Sequence, residues 1–304
     1  MRNTYLEELY QIAQKDKNVL SLVADNGMIV YDDFRADMPQ QFFNFGISEG
    51  HMVSAAAGMA LCGKIPFLYT ISSFLAYRAY EFIRVDVCLQ KANVKIVGIG
   101  TGVSYGYLGP THHTTEDIGM LRSLPNLTIF SPGSDYEARE AVRAAYEIQG
   151  PVYIRLGNGS VPETEEEKNP FQVGKGRIVA DGRDLTVITT GSILREVKKA
   201  AVLLEQDGIS TQVISMHTLK PFDEEVVAAA VHQTGKIITV EEHNCIGGLG
   251  DAVAGVIAER GLRTEFRKIG LNDCFAKGYG NEDEVRQQNG LDGESIYHKI
   301  KGKR

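Results

Sequence analysis

Residues 42–62 read FFNFGISEGHMVSAAAGMALC and combine a strand-like run with a helix-compatible stretch. A short strand-like run ends near Gly46, and an Ala- and Gly-rich stretch that is compatible with a helix opens at Glu49. A strand followed directly by a helix is the unit from which parallel α/β sheets are built. The segment therefore predicts a βα unit whose helix carries an acid in its first turn, where the helix dipole favours negative charge.

The same alternation of strand-like and helical patterns continues on both sides of this segment. Short β-branched runs predict strands within residues 18–27, 94–100, 127–133, 152–159, 185–192, 211–216 and 237–243. Helix-compatible patterns lie between them, for example at 48–62, 76–91, 135–148 and 192–207. We therefore expect an α/β fold of two consecutive three-layer domains with mostly parallel sheets.

The clearest break in composition is residues 157–176, GNGSVPETEEEKNPFQVGKG, which contain two prolines and an acidic run. Such a stretch is typical of a linker between domains. We predict a first domain at 1–160, a linker at 161–176 and a second domain at 177–304. A long surface loop inside a single domain is the alternative interpretation.

Composition and charge exclude several classes of protein. The 304 residues are 43% hydrophobic and carry a net charge of -7, which argues against nucleic acid or an anionic membrane as the main partner. The four cysteines form no C-x-x-C pair, so neither a zinc site nor a disulfide framework is indicated. The N-terminus has no apolar signal-peptide core, and no run approaches 18 apolar residues. We expect a soluble, cytoplasmic protein.

Three groups of residues could carry chemistry, and each also has an ordinary structural explanation. Glu49 is explained by the helix dipole alone. Phe74, Tyr77 and Tyr80 recur every three residues and fit a core-facing helix stripe. A Gly-Pro break at 109–110 delivers His112 and His113 into a loop ahead of a helix, and adjacent loop histidines are usually exposed polar residues.

These segments together resemble the transketolase family. The resemblance covers nearly the whole chain and is carried by FGISEGHM at 45–52, by the aromatic spacing, and by GPTHHTTEDIGMLRSLPN at 109–126. It extends to EEHNCIGGLG at 241–250, which is similar to the C-terminal domain of these enzymes. The resemblance implies a pyrimidine-binding domain followed by a transketolase C-terminal domain.

The resemblance also assigns roles to individual residues. Glu49 matches the catalytic acid, whose protonated carboxyl hydrogen-bonds the aminopyrimidine of thiamine diphosphate, and Phe74, Tyr77 and Tyr80 match the aromatic pocket for that ring. His112 matches the histidine that faces the substrate carbonyl and hydroxyl, where an imidazole can donate hydrogen bonds or move protons. His113 is a weaker candidate for substrate binding.

The chain departs from transketolases that use sugar phosphates at three positions. Those enzymes have a phosphate-binding histidine where Gly100 stands, an acid where Leu108 stands, and an arginine that corresponds to Asn158. Arg155 would compensate for the lost arginine if it points toward the pocket, and Asn158 itself remains a candidate substrate contact. The loss of a bidentate arginine removes the group best suited to a phosphate.

Two further aromatic residues, Tyr105 and Tyr107, lie in the same loop. With the missing phosphate contacts, they favour a bulkier or less anionic substrate than an ordinary sugar phosphate. A partner chain that supplies the anion site is the alternative.

Thiamine diphosphate enzymes hold Mg²⁺ and the diphosphate with a Gly-Asp-Gly segment followed by an Asn, and this sequence contains no such pair. Residues 248–255, GLGDAVAG, are only a weak match to a dinucleotide-binding loop. We therefore assign no metal ligand to this chain. The resemblance implies a separate N-terminal transketolase subunit that supplies the diphosphate and Mg²⁺ site, in a heterotetramer with this chain.

The leading hypothesis is a split transketolase that transfers a two-carbon ketol unit between small sugar molecules. The alternatives are a thiamine-dependent synthase acting on an unusual or nucleotide-linked sugar, and the β-subunit of a 2-oxoacid dehydrogenase. A non-catalytic assembly partner is disfavoured because Glu49, the aromatic triad and His112 are all retained.

Overall fold

The computed structural model describes residues 1–27, 29–158 and 169–302, whose strands form two sheets. The strands are β1 (Val19–Val23), β2 (Phe42–Asn44), β3 (Ile65–Ile71), β4 (Lys95–Ile99), β5 (Thr128–Phe130), β6 (Val152–Leu156), β7 (Arg177–Ala180), β8 (Leu185–Thr190), β9 (Thr211–Ser215), β10 (Thr218–Lys220), β11 (Lys236–Asn244) and β12 (Glu265–Leu271).

The helices alternate with these strands as the sequence pattern predicts. They are α1 (Arg2–Lys15), α2 (Asp32–Asp37), α3 (Glu49–Leu61), α4 (Tyr80–Phe82), α5 (Asp117–Leu121), α6 (Asp135–Glu147), α7 (Leu194–Gln206), α8 (Glu224–Thr234), α9 (Leu249–Glu259), α10 (Glu282–Gln288) and α11 (Gly293–Ile300). None of the helices in the described ranges combines the length and apolar character needed to cross a membrane.

Both sheets are mostly parallel. The first has the order β10-β5-β6-β4-β3-β1-β2 and is parallel except for β10, which pairs antiparallel with β5. The second has the order β12-β11-β8-β9-β7, with β7 antiparallel to β9. Every residue of β1, β4 and β6 is buried, as expected when helices cover both faces of a parallel sheet.

Helices on both faces of the first sheet complete its three layers. α1, α2 and α6 contribute to the apolar core on one face, while α3 and α5 contribute to the core on the other. That second core continues into α8 and α9 of the C-terminal unit, whereas α7 and α11 belong to a third core. The expected α/β fold class with mostly parallel three-layer units is confirmed.

The predicted helix at 76–91 has an irregular form. Two π-helical turns, Phe74–Arg78 and Ile83–Leu89, flank the single turn of α4. π-helical turns are frequent at functional sites because the extra residue per turn re-aims side chains. Of the predicted linker, residues 161–168 lie outside the described residues, and the proposed domain boundaries stay a prediction.

Candidate active site

Three loops that follow the carboxyl ends of β2, β3 and β4 bring the predicted catalytic groups together. Glu49 follows β2, Phe74 follows β3 and His112 lies in the long loop after β4. In an open parallel sheet, ligands usually bind at this edge. The order of the sheet therefore gathers side chains that are 25 to 63 residues apart in sequence.

Glu49 is the first residue of α3 and is 5% exposed. Its Oε1 atom lies 3.8 Å from Nη1 of Arg78, beyond hydrogen-bonding distance. The following residue is Gly50, where a Cβ would lie 2.6 Å from the ring of Phe82. Glycine at this position thus lets α3 pack closely against the helical segment that carries the aromatic residues, with Glu49 beside them.

The three aromatic residues Phe74, Tyr77 and Tyr80 have different neighbours in the structure. The Phe74 ring lies 5.0 Å from the His112 ring at an angle of 63°. The Tyr77 hydroxyl donates to Oε2 of Glu116 (2.6 Å) and accepts the backbone N–H of that residue (3.1 Å). Burial raises the pKa of Tyr77, and so do Asp117 and Glu116, which keeps its phenol protonated. Tyr77 thereby ties the aromatic segment to the histidine loop.

Tyr80 reaches away from this contact. Its hydroxyl donates to the carbonyl of Met120 at 3.4 Å and lies 3.5 Å from the Ser123 hydroxyl. Of the three aromatic residues, Phe74 is therefore the one in direct ring contact with His112. Tyr77 and Tyr80 instead hydrogen-bond residues 116–123, which follow the histidines.

His112 is half-buried, and its ring contacts two aromatic rings. The centroid of the Phe74 ring lies 5.0 Å away and that of the Tyr105 ring 6.2 Å away. The Thr111 hydroxyl donates to the Leu108 carbonyl at 3.2 Å, so its oxygen accepts from Nδ1–H of His112 at 2.9 Å. This assignment follows from the hydrogen-bond partners. It leaves Nε2 as a proton acceptor on the neutral ring and as a donor on the imidazolium.

His113 faces the interior instead. It is 3% exposed, and neither ring nitrogen has a hydrogen-bond partner among the described residues. Burial lowers the pKa of His113, partly opposed by Glu242 and Glu116, so the ring is held neutral. The adjacent histidines are thus placed in different environments.

Arg155 and Asn158 hold the histidine loop from below. The Arg155 guanidinium is 2% exposed and pairs with Asp117 at 2.9 Å, while Nη2 donates to the carbonyls of Thr114 and Glu242. The Asn158 side-chain amide donates to the Ser104 carbonyl at 3.3 Å. Both side chains are engaged with the protein, and the condition that Arg155 point toward the pocket is not met.

The C-terminal unit reaches the same loop through a buried polar network. Arg286 is fully buried and pairs with Glu242 at 2.7 Å and with Glu282 at 2.8 Å. Glu282 in turn accepts from the Ser104 hydroxyl at 2.9 Å. Burial and the nearby Glu242 raise the pKa of Glu282. The second unit therefore helps to position the loop that carries His112.

Two features of the site go beyond the predicted residues. At Gly100, which has φ +69°, a Cβ would lie 1.9 Å from the Tyr105 ring, so the glycine and the tyrosine fill one space together. The Arg78 side chain is 58% exposed, and its guanidinium lies 4.4 Å from the Phe74 ring centroid.

The donor set fits the aminopyrimidine of thiamine diphosphate. The Arg78 guanidinium, which is planar and rich in nitrogen, contacts both the Phe74 ring and the Glu49 carboxylate. A flat nitrogen heterocycle requires the same two partners, an aromatic face and a carboxyl group. Within the described ranges, no group of three or more His, Cys, Asp or Glu side chains is placed to hold a metal ion.

Comparison with known proteins shows that nearly the whole chain is similar to one family of proteins. Residues 1–163 match the family model "Transketolase, pyrimidine binding domain", and residues 174–296 match "Transketolase, C-terminal domain". A putative transketolase C-terminal section of Methanocaldococcus jannaschii is 40% identical, with 99% of this chain and 95% of that protein covered. One of the subunits of the apulose-4-phosphate transketolase of Phocaeicola vulgatus is 36% identical, with 97% and 94% covered.

A solved structure gives the same result for the fold. A protein described as a split gene transketolase in an inactive beta4 tetramer matches with a TM-score of 0.88 and 35% identity. The match covers 99% of this chain and 96% of the other.

Proposed function

The chain belongs to the transketolase family, and from that premise we propose that it is the thiamine-activating subunit of a split transketolase. It would transfer a two-carbon ketol unit between sugars together with a second chain. The observation that carries this proposal is the convergence of Glu49, Phe74 and His112 from the loops that follow β2, β3 and β4 at one edge of the sheet.

Each of the three residues has a role that follows from its surroundings. The Glu49 carboxyl, buried at the start of α3, holds a proton at the aminopyrimidine ring nitrogen. The Phe74 ring provides a flat apolar surface for that heterocycle. Nε2 of His112, left open by the Thr111 contact, hydrogen-bonds the substrate oxygens and exchanges protons with them. When bound, thiamine diphosphate supplies the carbon nucleophile.

A second subunit is part of the proposal. It would carry the oxygen ligands for Mg²⁺ and the diphosphate, since the sequence of this chain lacks the Gly-Asp-Gly and Asn segment. The relatives described as a transketolase C-terminal section and as one subunit of a transketolase cover this chain nearly end to end and support a split arrangement. The related solved tetramer of beta chains is described as inactive, which is consistent with a requirement for a partner. A heterotetramer of two copies of each chain is the assembly we propose.

The substrate end of the site favours a sugar that differs from an ordinary aldose phosphate. Tyr105 occupies the space over Gly100, where sugar-phosphate transketolases carry a histidine, and Leu108 is 50% exposed. Asn158 and Arg155 are bonded to the protein. A phosphate or related anion on the substrate would therefore have to be held by the partner chain. The same feature is compatible with a synthase that acts on an unusual sugar, which is the second candidate.

The proposal is tested with the chain co-purified with its partner, thiamine diphosphate and Mg²⁺. Glu49→Ala is expected to abolish the near-ultraviolet circular dichroism band of the bound aminopyrimidine and to lower turnover at least ~100-fold, because the proton donor is lost. Glu81→Ala, which removes an exposed carboxyl of the same helical segment, is the matched control. Unchanged spectra and turnover in Glu49→Ala would contradict the assigned role.

The donor is identified in the same assay. Xylulose 5-phosphate, an unphosphorylated ketose and pyruvate distinguish a sugar-phosphate transketolase, an enzyme for other sugars and a 2-oxoacid dehydrogenase. Full activity on xylulose 5-phosphate would refute the inference from Gly100 and Tyr105. Activity of this chain alone with the cofactor would refute the split arrangement.

A further inference from the structure

We propose that Arg78 is a gate of the cofactor pocket: its guanidinium contacts both Glu49 and Phe74, between which the aminopyrimidine would lie, and has to swing away before the cofactor binds. The inference rests on the proposed function, because that proposal assigns both partners of Arg78 to the aminopyrimidine. It adds a residue that has to leave before the cofactor binds.

The contacts of Arg78 define this position. Its guanidinium carbon lies 4.4 Å from the centroid of the Phe74 ring, within the range of a cation–π contact. Its Nη1 atom lies 3.8 Å from Oε1 of Glu49. A guanidinium resembles one edge of an aminopyrimidine in being planar and in carrying nitrogen atoms that face a carboxyl group. The Arg78 side chain therefore contacts both groups that would recognise the aminopyrimidine, the Phe74 ring and the Glu49 carboxyl.

Arg78 also compensates a charge. Glu49 is 5% exposed, and an ionised carboxylate buried without a partner is costly. The nearby guanidinium offsets that cost. A heterocycle that takes its place offers the Glu49 carboxyl a hydrogen bond instead.

The gate is held weakly enough to open. The separation from Glu49 exceeds hydrogen-bonding distance, and the Arg78 side chain is 58% exposed, so it can swing into solvent. Arg78 ends the π-helical turn Phe74–Arg78, so the two side chains in contact belong to one turn. Exposed cation–π and ion-pair contacts of this kind are each weak. The cofactor must displace them, which lowers its apparent affinity without preventing binding.

The test compares Arg78→Met with the wild-type chain, both assembled with the partner subunit and titrated calorimetrically with thiamine diphosphate and Mg²⁺. Removal of the competing guanidinium is expected to tighten cofactor binding about three- to thirtyfold. Arg84→Met is the matched control, since Arg84 lies on the same segment, is 51% exposed and pairs with Glu81. Its affinity should equal that of the wild type.

The outcomes separate the gate from the proposed function. If the wild-type assembly binds the cofactor and Arg78→Met binds it equally well or more weakly, the gate is overturned and the proposed function stands. Absence of binding by the wild-type assembly and both variants would overturn the proposed function, and the gate with it. Thermal unfolding of the cofactor-free chains checks that Arg78→Met is folded.

Discussion

His112 and His113 are neighbours in sequence, but their rings differ in exposure and in hydrogen bonding. His112 is half-buried beside Phe74 and Tyr105, with its Nδ1 atom fixed on Thr111. His113 is 3% exposed and is held neutral, since burial lowers its pKa. In the proposed function, Nε2 of His112 exchanges a proton with the substrate, whereas His113 fills the interior beneath the loop.

His112→Gln tests this difference. The amide keeps a hydrogen-bonding group in the pocket but cannot take up and release a proton at neutral pH. We expect turnover of the assembled enzyme to fall about 100- to 10,000-fold, the range typical of lost acid–base catalysis, with cofactor affinity unchanged. Steady-state kinetics and a cofactor titration measure the two quantities. His232→Gln, at an exposed histidine of α8, is the control, and normal turnover in His112→Gln would exclude the proton-transfer role.

At the scale of elements, the alternation of strands and helices was predictable because each buried strand is a short apolar run bounded by glycine or polar residues. β3 was not among the predicted strands, although it lies between β1 and β4. Its second residue is Pro66, and a proline inside an apolar run normally argues against a central strand. Here the proline stands near the strand's start, where a missing N–H is tolerated.

The site residues were predictable as far as spacing and resemblance allow. The sequence brought Glu49, Phe74 and His112 into one hypothesis, and the structure places them at one edge of the sheet. The direction of a side chain is set by tertiary contacts that the sequence does not display. Arg155 therefore could not be recognised as the partner of Asp117, and Arg78 could not be recognised as the neighbour of Phe74.

The β9–β10 connection joins the two sheets and contains a pH-sensitive residue. β10 pairs with β5 of the first sheet, and His217, just before it, is fully buried and stacks on Phe171 at 4.1 Å. Its Nδ1 atom lies 3.0 Å from the Thr218 hydroxyl. Burial lowers the pKa of His217 from 6.5 to about 4. Between pH 4 and pH 6.5, His217 is therefore less protonated in the folded state than in the unfolded chain.

His217 should therefore make the protein less stable in acid. Its contribution is fully present above pH 6.5 and is lost as the pH falls toward 4, because protonation then favours the unfolded chain. Between pH 7.5 and pH 5 the loss is about 2 kcal/mol. Urea unfolding of the wild type and His217→Phe at both pH values measures it. The variant should lose about 2 kcal/mol less than the wild type on acidification, and equal losses would show that His217 is not responsible.

At the scale of the whole molecule, the two units are joined by both apolar and polar contacts. One apolar core runs from α3 and α5 of the first unit to α8 and α9 of the second. A buried ion pair of Glu242 and Arg286 in the second unit extends through Glu282 to Ser104 in the histidine loop. The C-terminal unit thereby supports the loop from which His112 reaches the site.

Arg286→Met tests this connection. The substitution leaves Glu242, which is 2% exposed, as a buried charge without its cation, so we expect a loss of about 3–5 kcal/mol in the free energy of unfolding. The double variant Glu242→Gln/Arg286→Met should recover part of that loss, because the unpaired charge is removed. Arg260→Met, which breaks an exposed pair with Glu224, should cost only about 0–1 kcal/mol. Urea unfolding of the four chains gives these values. A single variant as stable as the Arg260→Met control, or a double variant no more stable than Arg286→Met, would show that the buried pair does not stabilise the protein in this way.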